Sequence, residues 1–321
     1  MTSVHVVLCT YNGARFLPEQ LESLRAQTRV IDRLVISDDG STDGTFEFLS
    51  SIKLPPSALL IRNEQRLGAV ENFSQALAQA NGDIVFLCDQ DDIWHRNKVE
   101  RLVCELDRHG DTLLVHSNAR LIDGAGKPRH ETLFDALSLT VSDRTRWNSE
   151  SALATLVRQN VVTGATVALR RHLLDLALPI PSGYWHDEWL ALIAAAIGDV
   201  RRIDEPLVDY RIHPGNHVGI PRIGRRERLL AAFTKRGDYC NKRAQKLESL
   251  LQRLRDLRGL VPLERLAFVE KACRHWHARA NLPHTRLSRI PLVWHHWTSG
   301  HYRQYSSGVR SLLRDLLERM P

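Results

Sequence analysis

The chain has 321 residues, 43% hydrophobic and 25% charged, an ordinary globular composition long enough to bury a core without covalent staples. Its formal charge of +7 is uneven: residues 222–321 carry 22 Lys/Arg against 8 Asp/Glu, so the rest of the chain is net acidic. No apolar run approaches the ~20 residues of a membrane span, and five cysteines without a C-x-x-C argue against a disulfide framework or a zinc site.

In chain order, Met1–Val4 leads directly into a strand-like run rather than a secretory leader, which with the apolar setting of Cys9 and Cys88 predicts a reducing cytoplasmic location. Val4–Cys9 reads as a buried strand and Leu17–Ala26 as a helix with Pro18 in its first turn. Asp32–Ser37, Leu59–Arg62, Asp83–Cys88 and Leu113–His116 read as further strands. Thr45–Ser51, Val70–Ala80 and Lys98–His109 read as the helices between them. This alternation predicts an α/β fold with a mostly parallel sheet and helices on both faces. Pro128–Trp147 has weak periodicity and reads as an insertion or acceptor loop. Ser151–Arg158 reads as a helix, Val161–Arg170 as two strands broken at Gly164, and Trp189–Ala196 as an apolar helix. Two short strands, Val200–Ile203 and Leu207–Arg211, follow. Beyond Pro221 the pattern becomes helical and basic over Arg225–Arg258, Leu263–Ala280 and Val309–Met320. The boundary predicts a catalytic domain over residues 1–221 and a helical region over 222–321.

Ligands of such sheets bind at the carboxyl ends of the strands, and three polar clusters fall there. Thr10-Tyr11-Asn12-Gly13 follows the first strand; it is either a plain turn or a place where Tyr11 stacks on a base. Asp38-Asp39-Gly40-Ser41 follows the second; beyond turn and cap roles, one carboxylate can accept a uracil or thymine imide N–H and another a ribose hydroxyl. Asp89-Gln90-Asp91-Asp92 follows the fourth. Carboxylates this close repel unless a cation intervenes, so the D-x-D reads as a Mg²⁺ or Mn²⁺ site shared with substrate phosphates, and otherwise as a solvated acidic loop. Asp187, in His186-Asp187-Glu188-Trp189, is either a first-turn acid or a general base for an acceptor hydroxyl. His213, in a Gly/Pro loop, is either a structural or solvated histidine or one that closes over a diphosphate or binds the metal. His275, His277, His295 and His296 lie in the helical tail without an H-E-x-x-H spacing and receive no metal role.

The runs V-V-L-C-T-Y-N-G, S-D-D-G-S-T-D-G-T, F-L-C-D-Q-D-D-I-W, N-V-V-T-G-A-T, H-D-E-W-L-A-L and Y-R-I-H-P-G-N together resemble glycosyltransferase family 2, of GT-A fold, in its rhamnosyltransferase-like members. The resemblance covers about residues 4–217. It implies nucleoside binding by Thr10, Tyr11, Asp38 and Asp39, with Asn63, Arg66 and Asn72 bordering the nucleotide pocket. It also implies a D-x-D of Asp89 and Asp91, with Asp91 the direct metal ligand and Asp89 nearer the ribose, a catalytic Asp187, and a His213 that approaches the donor phosphates. Many members carry Glu where this chain has His186.

The function expected is single-sugar transfer with inversion from a dTDP- or UDP-sugar, rhamnose favoured, to a glycan or lipid-linked acceptor in cell-surface polysaccharide synthesis. A processive Q-x-x-R-W motif is absent. The alternatives are a sugar-phosphate nucleotidyltransferase, disfavoured by Thr10-Tyr11-Asn12-Gly13 where a basic glycine-rich loop is needed, or a non-catalytic nucleotide-sugar-binding protein. The basic tail reads either as helices packed on the catalytic domain or as a peripheral contact with the inner face of the cytoplasmic membrane. No nucleic-acid module is recognisable, so no nucleic-acid partner is expected.

Overall fold

The computed structural model describes residues 2–137, 147, 149–215 and 236–317. It divides into two compact units: Met1–Ser149 with Val161–Ile220, and Glu150–Asn160 with Pro221–Pro321. The boundary expected after Pro221 falls outside the described residues, and residues 150–160 group with the second unit.

The first unit holds a nine-stranded sheet. β1 (Val4–Thr10), β2 (Arg33–Asp38), β3 (Leu59–Arg62) and β4 (Ile84–Cys88) run parallel in the order β3-β2-β1-β4. All seven residues of β1 are buried, so its sequence is a continuous apolar run rather than an alternating one. Helices α1 (Leu17–Arg25), α2 (Thr45–Ser51) and α3 (Ala69–Ala78) follow β1, β2 and β3. Register pairs Thr10 with Asp38 and Leu8 with Cys88, which brings the loops after β1, β2 and β4 to one rim.

The chain continues through β5 (Ile93–Trp94), α4 (Lys98–Arg108), β6 (Thr112–Asp123), β7 (Pro128–Thr132), α5 (Leu133–Ala136) and α6 (Ser149–Arg158). A single 3₁₀ turn (Gly164–Thr166) leads to β8 (Val167–Arg170), followed by α7 (His172–Ala177), α8 (His186–Ile197) and β9 (Asp199–Ile212). These strands extend the sheet as β4-β8-β6-β9-β5, with β7 on β6. β8 runs antiparallel to both β4 and β6, and β5 antiparallel to β9, so the sheet is mixed at this side.

Three sequence expectations are corrected. Only Val167–Arg170 of Val161–Arg170 is a strand, because the backbone turns at Gly164 to cap Asp187. The two strands read over Val200–Arg211 are one 14-residue strand. Pro206 is accommodated where the β6–β9 register shifts from Ser117↔Ile203 to Asn118↔Pro206, an irregularity where a missing N–H donor is tolerated. The segment Pro128–Trp147 starts as a regular strand and a helix capped by a Thr132–Asp135 box; residues 138–146 lie outside the described part.

In the second unit, α9 (Arg236–Asp256) packs on α10 (Leu263–Ala280), followed by α11 (Arg286–Thr298), α12 (His301–Tyr305) and α13 (Val309–Leu317). The expected span Arg225–Arg258 is described only from Arg236, and Val309–Met320 only to Leu317. α11 and α12 were not legible, since Pro291 interrupts one pattern and Gly300, at φ +74°, separates the two. Leu282, Val293 and Tyr302 form a small core. Beside it, Arg279 makes a paired ion contact with fully buried Asp315, which also accepts from the Tyr302 hydroxyl at 2.7 Å.

Candidate active site

The loop after β2 is built by its own carboxylates. Asp38, fully buried, accepts from Thr10 Oγ1 at 3.0 Å and from the Ser41 backbone and hydroxyl. Asp39, also buried, accepts from the Leu67 and Gly68 N–H groups, both at 2.8 Å, and from Asn63 Nδ2 at 3.1 Å. Three donors occupy three of about four acceptor positions on each carboxylate, so both aspartates shape the loops and keep only a remainder for a ligand.

Three neighbouring residues brace the loops. The Thr10 hydroxyl is spent on Asp38. Asn72, expected at the nucleotide pocket, is buried with its amide spent on Ser37 and Asn63. Asn12 sits at φ 50° and its Oδ1 accepts from the Thr42 N–H at 2.9 Å, tying the first loop to the second. Tyr11 is partly exposed and the Arg66 guanidinium lies over its ring at 3.9 Å from the centroid, a cation–π pair on the rim.

The acidic loop after β4 is pinned from two directions. Gln90 accepts from the Tyr11 N–H at 2.8 Å and donates to the Tyr11 carbonyl at 3.0 Å, clamping this loop to the one after β1. The clamp requires a glycine at 13, where a Cβ would sit 2.1 Å from Gln90 Oε1. From the other side, β5 pairs Ile93 with Asp209 on β9, which lays Arg211 and His213 along the loop. Arg211 donates its backbone N–H to Asp92 at 2.9 Å and its Nε to the Asp91 carbonyl at 2.8 Å, while its guanidinium reaches Glu19. His213 Nε2 lies 2.8 Å from Asp91 Oδ2.

The carboxylates themselves carry excess negative charge. Burial, then Asp91 and Asp187, push the Asp89 carboxyl up to about 7, with Lys98 opposing. Burial followed by Asp91 and Asp89 raises Asp92 well above the usual carboxylate range. One Asp92 oxygen is buried without a hydrogen-bond partner, which adds to the cost of charging this carboxyl. Beneath the loop, Lys98 is fully buried, donates to the Ala165 carbonyl at 2.6 Å and lies 3.2 Å from the Trp94 ring centroid. Burial lowers its ammonium to about 7, against Cys88, Asp92 and Asp89, which raise it.

Asp187 sits in the first turn of α8, partly exposed, and its carboxylate accepts from the Gly164 N–H at 3.0 Å and from the Glu188 N–H at 2.6 Å. Exposed Trp185 precedes it. His186 stacks on Phe73 with ring centroids 3.9 Å apart, and both its ring nitrogens are buried without partners. A Cβ at Gly164 would meet His186 Nε2 at 2.8 Å, so this glycine lets the backbone reach Asp187. Asp91 and Asp187 both raise the Asp89 carboxyl, so the three groups lie near enough to repel one another.

Sequence reasoning missed Gln90, Lys98 and Arg211 as parts of this site. Gln90 and Arg211 lie inside quoted motifs, yet only the strand register shows what they hold. Lys98 had a weak signal: a charged residue opening a helix whose next buried positions are Val99 and Leu102.

The donor set suits a hard divalent cation: two carboxylates on one loop, a third negative group behind them and an imidazole against Asp91. The excess negative charge is what such an ion would relieve, so the residues fit it.

A mixed sheet bearing these loops defines a protein of the GT-A glycosyltransferase fold. The model of Glycosyl transferase family 2 matches residues 5–175, more than half of the sequence, and the chain belongs to that family. It is 28% identical over 231 residues to an uncharacterized glycosyltransferase of Nostoc sp., covering 67% of this chain and 66% of that protein. A Shigella flexneri dTDP-rhamnosyl transferase, RfbG, is 34% identical over 102 residues, 30% of this chain and 35% of that one. The crystal structure of S. aureus TarS 1-349 in complex with UDP-GlcNAc superposes with a TM-score of 0.60 at 15% identity, covering 98% of this chain and 89% of that one. That likeness establishes the fold. The chain spans 66% of the length of the Nostoc relative and 58% of a Mycobacterium tuberculosis protein that it also matches.

Proposed function

We propose that the chain transfers a single sugar from a nucleoside-diphosphate sugar to an acceptor hydroxyl, with inversion at the anomeric carbon. The observation that carries this reading is the acidic loop of Asp89 and Asp91, held against His213 and clamped by Gln90 to the loop bearing the Tyr11–Arg66 pair, with Asp187 near enough to raise Asp89. The nucleoside lies at the Tyr11–Arg66 end, where Asp38 and Asp39 shape the loops, and the diphosphate lies over the acidic loop.

Asp187 removes the proton of the acceptor hydroxyl. The oxygen attacks the anomeric carbon, and the bond from that carbon to the diphosphate oxygen breaks on the opposite face. The Gly164 and Glu188 N–H groups hold the Asp187 carboxylate in one orientation through the step. Asp91, Asp89 and His213 would hold a Mg²⁺ or Mn²⁺ ion, which would neutralise charge developing on the leaving diphosphate.

For the donor, the partial likeness to a dTDP-rhamnosyl transferase favours dTDP-rhamnose, and the imide edge shared by thymine and uracil keeps UDP-sugars within reach. Exposed Trp185 beside the base suits the apolar face of a sugar, so the acceptor proposed is a glycan, free or lipid-linked, in polysaccharide synthesis. The domain division follows: catalysis in residues 1–221, with the basic helices of 222–321 as a peripheral contact to an anionic inner membrane face. Among the described residues no helix is long and apolar enough to cross a membrane.

The deciding experiment is a thermal-shift and turnover screen of nucleotide sugars with Mn²⁺, Mg²⁺ or EDTA, repeated with Asp187→Asn. A dTDP- or UDP-sugar stabilises both proteins, and the variant loses about 10²–10⁴-fold in turnover. Stabilisation by no nucleotide, or full turnover by folded Asp187→Asn, overturns the assignment.

A further inference from the structure

The second unit contains a cluster that the family's chemistry does not use. His275 on α10, His296 on α11 and His301 at the start of α12 point into one another, with their ligand atoms all within 4.8 Å. The Nδ1 atom of His296 lies 3.0 Å from His275 Nδ1 and 3.2 Å from His301 Nδ1. The three rings are tilted by 43°, 67° and 73° to one another, converging on a point rather than stacking.

The hydrogen bonds around His275 fix its tautomer. Ser306 Oγ carries a single hydrogen, and it donates this to the Tyr302 carbonyl at 2.9 Å, an oxygen that can only accept. The contact between His275 Nε2 and Ser306 Oγ, 3.3 Å, is therefore donated by the imidazole. His275 is fully buried, and in the neutral ring a proton on Nε2 leaves a lone pair on Nδ1. That lone pair faces His296, whose Nδ1 in turn faces His301.

A metal-bound imidazole typically shows this arrangement, one nitrogen donating outward and fixing the ring while the other faces the ion. Without an ion, one N–H on His296 must serve two acceptors at once. Three nitrogens on a tetrahedral Zn²⁺ at about 2.0–2.1 Å stand about 3.3–3.4 Å apart, close to the two edges observed. The nearest buried cation, Arg279, is already neutralised by its pairing with Asp315.

We propose that His275, His296 and His301 form a Zn²⁺ site in the helical unit, bound through their Nδ1 atoms. His296 and His301 also line an open cleft of about 770 Å³, together with Cys273, His277 and Glu270, which gives a fourth ligand access to the ion. The expectation that this chain carries no zinc site was drawn from cysteine spacing and from the lack of an H-E-x-x-H. Neither pattern describes ligands that arrive from three helices and a glycine turn.

The test uses the full-length protein, stripped with EDTA and titrated with Zn²⁺ against a chromophoric chelator in excess Mg²⁺, which occupies the acidic loop. Wild type and Asp91→Asn each take up one equivalent. Ser306→Ala, which removes only the outer partner of His275, weakens uptake by about 10–100-fold, and His296→Ala and His301→Gln weaken it by at least the upper end of that range. The Co²⁺-loaded protein gives the intense visible bands of a tetrahedral site, which His301→Gln abolishes. Partly exposed His301 keeps the test open should His296→Ala fail to fold. No uptake by wild type, or undiminished uptake by folded His301→Gln, overturns the site.

Discussion

His213 Nε2 stands 2.8 Å from Asp91 Oδ2, although the two residues lie on opposite sides of the catalytic unit's sequence. The contact exists because β5 pairs with β9, and it divides labour between two candidate ligands. His213→Ala should weaken Mn²⁺ activation of turnover by about 10–100-fold, with activity recovered at high metal. Asp91→Asn should lose activity that added metal does not restore. A Mn²⁺ titration of sugar transfer separates the two, and a metal response unchanged in His213→Ala would remove the histidine from the ligand set.

Lys98 offers a test of charge balance beneath the acidic loop. Lys98→Met deletes a buried ammonium while keeping most of the stem's volume, and leaves Asp89 and Asp92 without their internal cation. The expected cost is about 1–3 kcal/mol of stability in metal-free protein, chiefly from leaving the buried Ala165 carbonyl unpaired. Because an ion then relieves more repulsion, the rise in Tm on adding Mn²⁺ should be larger than in wild type. Calorimetry with and without metal measures both, and an equal or smaller rise would contradict this role.

His116 gives a pH prediction. It is fully buried on β6, has no hydrogen-bond partner on either nitrogen, and is lowered to about 3 by burial and Arg202. Between that value and about 6.5 the unfolded chain binds a proton at this residue that the native chain refuses, so its contribution to stability falls as pH falls through 6.5. Asp89 and Asp92, raised by burial and by their neighbours, act in the opposite direction over part of this range, so a single profile conceals the effect. The difference between His116→Phe and wild type isolates it. The variant should gain on wild type by about 1.4 kcal/mol per unit as pH falls from 6 to 4, read from urea unfolding at each pH.

On α11, Leu287, Ile290, Trp294 and Trp297 are exposed at helical spacing, on a helix that opens with exposed Arg286. If this face meets an anionic bilayer, Leu287→Glu with Trp294→Glu should abolish sedimentation with phosphatidylglycerol vesicles while leaving transfer to a soluble acceptor unchanged. Equal sedimentation of variant and wild type would exclude the stripe as the contact.

Much of the rim was legible because acids and glycines at the ends of apolar runs are chemically conspicuous. Asp38, Asp89, Asp91 and Asp187 stand out in that way. What those residues do is less legible, since Asp38 and Asn72 turn inward and are consumed by neighbours that only the fold supplies. From sequence alone β9 reads as two strands because Pro206 breaks its pattern, while the partner strand absorbs the break by shifting register. Arg211, Lys98 and the three tail histidines belong to the same class: each acquires its role from an element remote in sequence.

The clamp between Gln90 and the Tyr11 backbone also constrains how this sequence can drift. Residue 13 can gain a side chain only if residue 90 surrenders its reach, since the space of one is filled by the amide of the other. Either change alone separates the loop after β1 from the acidic loop. The two positions, far apart in the chain and on different strands' ends, therefore behave as one heritable unit, to be exchanged together or kept together.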